Sequence, residues 1–189
     1  MLDINDIRII RQIRAGNTRA FSLLVERHKG LVFNLAMRML QNREEAEEIA
    51  QDVFVKIFKS LDSFKGDAKF QTWVYRIAYN SCLDKLKKIK HNRNTISIDE
   101  NNIHRIADLD ERLENMEKED RLDTVAACLQ ELPGEEHALL MMYYYENKSL
   151  DEIASIVKLK SNHIKVKLFR LRKKMEILLN KKIEEQVMS

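Results

Sequence analysis

Apolar residues recur at three- and four-residue spacing through most of this chain, the period of helices that bury one face. Phe21, Leu24, Leu31, Leu35 and Met39 fall on one stripe of a helix that starts near Asn17. A second stripe follows the cap-like Asn42 and carries Ala46, Ile49, Ala50, Val53, Phe54, Ile57, Phe58 and Leu61, so Phe54 and Phe58 are both expected in a core. The period breaks at Ser63 to Lys69, where Gly66 and Asp67 favour a turn, and a third helix is predicted from about Thr72 to Ile89. Residues His91 to Asn102 show no stripe, and only a weak one at Leu109, Leu113 and Met116 follows. Helical spacing returns near Arg121 with Leu122, Val125, Ala126, Leu129 and Leu132, and Pro133 suits the first turn of a next helix over His137 to Tyr145.

The last stretch is more specific. Ser149 and Glu152 form an S-x-x-E capping box ahead of Ile153, Ala154, Ile156 and Val157, which specifies a short helix. Ser161 is a candidate cap for a second helix with Ile164, Leu168, Leu171 and Met175 at helical spacing. A short helix, a tight turn and a basic amphipathic helix make a helix-turn-helix, whose second helix enters the DNA major groove. The fold expected is all-α: two small helical domains, 1–90 and 121–189, joined by a flexible acidic and polar linker at 91–120, with the helix-turn-helix in the second domain. A linker so poor in apolar residues has little to dock, so the domains are expected to move relative to each other.

Charge sharpens this picture because it is segregated. Residues Lys158 to Lys174 hold eight Lys or Arg and no acid, whereas a solvated helix face normally carries both signs. Glu44 to Asp52 hold five acidic side chains and no basic one, and Lys85 to Arg93 five basic and no acidic. Such blocks point to separate surfaces for separate partners. Cys82 and Cys128 lie far apart with no C-x-x-C, and are expected in the core. His28, His91, His104, His137 and His163 are scattered without a nucleophile, carboxylate pair or metal spacing, so enzyme function ranks last and no metal or cofactor is expected. No run approaches the ~18 apolar residues of a membrane span, and the N-terminus lacks the order of a secretory signal. A cytoplasmic protein without membrane insertion is expected.

The segment AFSLLVERHKGLVFNLAMRML, followed by NREEAEEIAQDVFVKIFKSLDSFKGDAKFQTWVYRIAYNSCLDKLKK, resembles region 2 of the bacterial extracytoplasmic-function sigma factors of the sigma-70 family. LQELPGEEHALLMMYYYENKSLDEIASIVKLKSNHIKVKLFRLRKKM is similar to their region 4, in the family's order and with a linker between. The resemblance implies a sigma factor that binds core RNA polymerase and directs it to promoter DNA, reading the −10 element as melted strand and the −35 element as duplex. Its A-E-x-x-Q-x-x-F motif places polymerase contacts at Glu47, Glu48, Gln51, Asp52 and Phe54. The −10 strand is implied at Phe64, Lys65, Asp67, Lys69, Phe70, Trp73, Arg76 and Asn80, with Lys87 and Lys88 on phosphates; a lone Trp on an amphipathic helix nonetheless fits a core. Base edges of the −35 element are expected at Asn162, His163, Lys165, Val166, Lys167 and Arg170, with Lys158, Lys160, Arg172 and Lys173 on phosphates around Ser161.

Two departures from the family pattern stand out. Lys158 occupies a helix end where glycine is common, which implies mild strain or a slightly different turn, and His163 stands where threonine is common. The run Tyr143, Tyr144, Tyr145 is expected to be core with one exposed ring. The resemblance also implies an anti-sigma partner. Competing readings are a dimeric helix-turn-helix regulator that binds a palindrome without polymerase, and an adaptor that reads no base.

Overall fold

The computed structural model describes residues 4–91 and 118–187, and among these every regular element is helical. The expected linker, with Leu109, Leu113 and Met116, falls largely on residues 92–117 and lies outside the described residues, as do the side chains of Lys90 and Leu122.

The first helix, α1 (Ile4–Arg14), has no counterpart in the sequence-based expectation. It is short, buries Ile10 and Ile13 in the core, and carries one buried polar residue. Asp6 is buried, with Oδ1 2.9 Å from the Arg27 Nε and Oδ2 3.0 Å from the His28 Nε2 on α2 (Phe21–Leu40). A buried carboxylate is tolerated when it is paired in this way. Helix α2 ends at Gln41 in the left-handed conformation, φ 53°, and Asn42 then caps α3 (Arg43–Ser60), its side chain accepting from the Glu45 N–H at 3.0 Å. The core face of α3 is Ala46, Ile49, Val53 and Ile57. Phe54 is half-buried against that core, but Phe58 is 44% exposed, contrary to expectation, with its ring edge-on to Phe21 at 4.9 Å. Position 58 falls at the margin of the arc buried at Val53, Ile57 and Leu61. A single 3-10 turn, Leu61–Ser63, and the loop to Phe70 lead into α4 (Phe70–His91), which buries Cys82.

In the second domain α5 (Lys118–Glu131) buries Thr124 and Cys128, followed by Leu132 just beyond its end. Val125 and Leu129 are half-buried and Ala126 is exposed, so the core face is rotated from the one expected. Helix α6 (Gly134–Leu140) follows Pro133 and continues as a π-helical turn, Met141–Tyr145. That wider turn faces Met142 inward and leaves two rings, Tyr144 and Tyr145, exposed rather than one. Helix α7 (Leu150–Val157) carries both halves of the Ser149–Glu152 capping box, and α8 (Ser161–Val187) lies across it through Ile164, Leu168 and Leu171.

The two domains do not stand apart. Helix α6 lies against α2, α7 lies against α4, and buried residues of both domains form one continuous apolar core. The independent motion expected from a linker poor in apolar residues is not found, because each domain offers the other an apolar face. Polar contacts close the seam: Arg38 Nη1 lies 2.6 Å from Glu146 Oε1, the Tyr75 hydroxyl donates to the same oxygen at 3.1 Å, and Gln41 donates to the Gln130 carbonyl at 2.8 Å.

Candidate nucleic-acid and protein interfaces

The helix-turn-helix is built by local rules. In the capping box the Ser149 Oγ accepts from the Glu152 N–H at 3.2 Å while the Glu152 carboxylate accepts from the Ser149 N–H at 3.0 Å. The Ser149 N–H, and then the Ser149 hydroxyl donating to the same carboxylate at 3.2 Å, hold the Glu152 carboxyl below its ordinary range, helped by Lys69. Helix α7 stops at Lys158, which takes the left-handed conformation, φ 57°, as the departure from glycine implied. The Leu159 N–H then donates back to the Ala154 carbonyl at 3.1 Å, the 6→1 bond of a Schellman motif. Ser161 is not the cap of α8. It is the first helical residue, half-buried, and its hydroxyl donates to the Asp151 carboxylate of α7, pinning the reading helix to its scaffold.

With Ile164, Leu168 and Leu171 facing inward, Asn162, His163, Lys165, Val166, Lys167, Arg170 and Arg172 are exposed, as are Lys158 and Lys160 in the turn. The structure therefore brings together on one convex surface the side chains expected to meet the −35 element. Lys173 sits apart, half-buried, its Nζ 4.9 Å above the Phe169 ring. Phe169 itself was missed by sequence reasoning and is 54% exposed beside Arg170. Its position off the Ile164–Leu168–Leu171 stripe was the available signal. Lys174 is engaged elsewhere, 2.7 Å from Glu136.

The loop after Leu61–Ser63 opens on a cleft of about 220 Å³ lined by Phe64, Lys65, Asp67, Trp73 and Arg76, among others. Lys65, Asp67 and Lys69 are exposed and Arg76 is half-buried. The aromatics are not free platforms. Phe64 and Phe70 pack edge-on at 5.2 Å, Phe70 stacks on Trp73 at 5.6 Å, and Trp73 is only 9% exposed. Asn80 turns back along α4, donating to the Arg76 carbonyl at 2.8 Å, whereas Lys87 and Lys88 are exposed. Gly66, φ 83°, permits the turn. A residue that sequence reasoning missed shapes this loop: the Arg14 guanidinium of α1 donates to the Leu61 carbonyl at 2.9 Å and the Phe64 carbonyl at 2.7 Å. Nothing in the local pattern links residues so far apart in sequence.

The outer face of α3 is acidic and exposed at Glu47, Glu48, Gln51 and Asp52. Glu47 pairs with Arg43 at 2.9 Å, and Glu48 accepts from Lys85 of α4 at 2.8 Å, a bond that lowers the Glu48 pKa and raises that of Lys85. Val55 and Phe58 are exposed on the same helix. The face thus combines charge with apolar area, as a protein interface does. Among the described residues no helix is long and apolar enough to cross a membrane, and no cluster of His, Cys, Asp or Glu could hold a metal ion.

Residues 24–92 match the family model for sigma-70 region 2, and residues 122–175 match that for sigma-70 region 4. Over 186 residues the chain is 25% identical to the RNA polymerase sigma-H factor of Pseudomonas aeruginosa, covering 95% of this chain and 96% of the relative. It is 26% identical over 177 residues to the ECF RNA polymerase sigma-E factor of Escherichia coli K12, covering 89% and 91%. A shorter stretch of 81 residues, 43% of either chain, is 42% identical to the ECF RNA polymerase sigma factor SigW of Bacillus subtilis. Among solved structures, CnrH in complex with the cytosolic domain of CnrY superimposes with a TM-score of 0.61 at 26% identity, covering 91% of this chain and 95% of CnrH. The sigma factor RpoE in complex with the anti-sigma factor NepR from Bartonella quintana shares the fold, with a TM-score of 0.61 at 18% identity and coverage of 85% and 96%.

Proposed function

Because the chain belongs to the extracytoplasmic-function sigma factors of the sigma-70 family, which direct core RNA polymerase to promoters, we propose that α8 reads the −35 element as duplex while the 63–70 loop captures the −10 element as single strand. One observation carries this reading: the turn and the first part of α8, Lys158 to Lys174, hold eight Lys or Arg and no acidic residue, and a fully formed helix-turn-helix presents them. Lys158, Lys160, Arg172 and Lys173 neutralise phosphates and fix register, while Asn162, His163, Lys165, Val166, Lys167 and Arg170 meet base edges.

At the −10 element the work is different. A melted strand needs a place for unstacked bases, and a cleft edged by aromatic and basic side chains supplies it. Lys65 and Lys69 attract the backbone, and the packed rings of Phe64, Phe70 and Trp73 form the apolar wall behind. The acidic and apolar outer face of α3 docks on the polymerase, with Gln51, Asp52 and Phe58 at its centre. A protein partner that masks these surfaces is part of the same reading, since the relative CnrH was solved in complex with the cytosolic domain of CnrY.

Permanganate footprinting of the reconstituted holoenzyme on a promoter tests the division of labour. Reactive, unpaired thymines are expected at the −10 element and none at the −35 element, which stays duplex. An open complex with no reactive thymine at the −10 element would contradict strand capture.

A further inference from the structure

Resting on that reading of the two DNA-binding surfaces, we propose that the packed arrangement of the domains is a self-inhibited form of the free chain, latched around Glu146. In this form the first helix of the reading unit closes on the −10 loop. Ser155 of α7 lines the cleft together with Phe64, Trp73 and Arg76, and Glu152 of α7 lies 3.4 Å from Lys69 of the loop. A strand cannot enter that side of the cleft without displacing α7.

Distance makes the same point. Asn162 follows Ser155 by seven positions, so the base-reading end of α8 lies at most about 25 Å from the cleft. Two helical turns of DNA between promoter elements span ~70 Å. The packed form cannot read both elements of one promoter, so it must open.

The latch is built from residues of both domains. The Glu146 carboxylate takes Arg38 of α2 at 2.6 Å and the Tyr75 hydroxyl of α4 at 3.1 Å, with Lys148 at 3.4 Å. Lys148 Nζ also lies 4.7 Å above the Tyr75 ring, and Tyr75 is fully buried. Arg38 and Glu146 are only about one-fifth exposed, so the pair is screened less than a surface pair. Next to Arg38 in α2 is Met39, and Gly134, the first residue of α6, sits directly on its backbone. A Cβ there would overlap the Met39 carbonyl oxygen and lie 2.7 Å from its carbonyl carbon. Met39 is backbone in a helix and cannot step aside. Meanwhile Gln51, Asp52 and Phe58 stay exposed in the packed form, so polymerase can dock on α3 before the domains part.

Small-angle scattering on the full chain, alone in solution, tests the proposal. A compact chain of this length has a radius of gyration of about 16 Å. The wild type is expected near that value. Gly134→Ala favours helix within α6 yet blocks closure, and Glu146→Gln removes the charge at the latch; both are expected to scatter as larger particles with helical circular dichroism unchanged. With limiting chain and core polymerase, both variants are expected to raise promoter-specific transcript yield at least two-fold. A wild type already extended, variants as compact as the wild type, or expansion without any gain in transcript would each overturn the latch. A wild type inert with polymerase at every concentration would instead count against the promoter reading, which the scattering does not touch.

Discussion

Lys165, Arg170 and Lys173 carry the same charge on one helix but have different reach. Lys165 and Arg170 extend freely from the exposed face, whereas Lys173 is half-buried over Phe169. Replacing Lys165 or Arg170 with Ala is expected to cost ~1 to 3 kcal/mol on the cognate −35 sequence and to relax preference at one position. Replacing Lys173 should weaken all sequences alike and flatten the salt dependence by about one unit of slope. Titration of holoenzyme against cognate and scrambled −35 duplexes separates them, and equal losses on both duplexes for all three would sink base reading. His137 yields a different expectation. Burial, and then the nearby Arg38 charge, hold its imidazole below the ordinary 6.5, so the folded chain resists a proton that the unfolded chain accepts. Stability from this site is therefore complete above about pH 6.5 and declines as pH falls below it. Thermal midpoints measured from pH 7.5 to 5.5 should fall less steeply in His137→Gln; an unchanged slope would show that the site is uncoupled.

The elements differ in how far they could be read in advance, for a physical reason. The capping box and the stop at Lys158 are written within a few consecutive residues, and both were legible. The same holds for the Asn42 cap and for the Ala46, Ile49, Val53 and Ile57 face of α3, though not for Phe58 at its edge. Helix α1 was not, because its apolar stripe is short, with Ile10 and Ile13 buried, and its remaining anchor is the pairing of Asp6 with Arg27 and His28 across the sequence. Ser161 has the chemistry of a cap, but Asp151 of the preceding helix claims its hydroxyl. The left-handed Lys158 supports a direct test, because an L-residue in that conformation costs roughly 1–2 kcal/mol relative to glycine. Lys158→Gly is expected to raise the midpoint by a few degrees, about 2–4 °C per kcal/mol, while lowering affinity of the holoenzyme for −35 DNA. No gain in midpoint would mean that the turn relaxes that strain. On α3, reversing Glu48 and Asp52 together to Lys should weaken polymerase binding with circular dichroism unchanged, since both side chains are exposed. Loss of helical signal in that variant would make them structural instead.

In the whole molecule, the domain order and the candidate surfaces were legible in the sequence, whereas the contact between domains was not. Periodicity says which face of a helix is buried but not what covers it. Tyr75, Gly134 and Glu146 look ordinary in their own segments, and their roles come from partners far away in sequence: Glu146 for Tyr75, Met39 for Gly134 and Arg38 for Glu146. The resemblance implies base contacts at Phe64, Phe70 and Trp73, while a lone Trp equally fits a core; the structure packs all three rings into a wall whose cleft remains beside α7. What unites these surfaces is a single activity, promoter-directed initiation. Run-off transcription with purified core polymerase, on a fragment library of the source genome and with or without this chain, measures it most directly. The account expects discrete transcripts that appear only when the chain is added and vanish with the Lys165 and Arg170 double alanine variant. Transcripts that do not depend on the chain, together with tight binding of the chain alone to a palindromic duplex, would contradict it and identify a regulator that works without a sigma role.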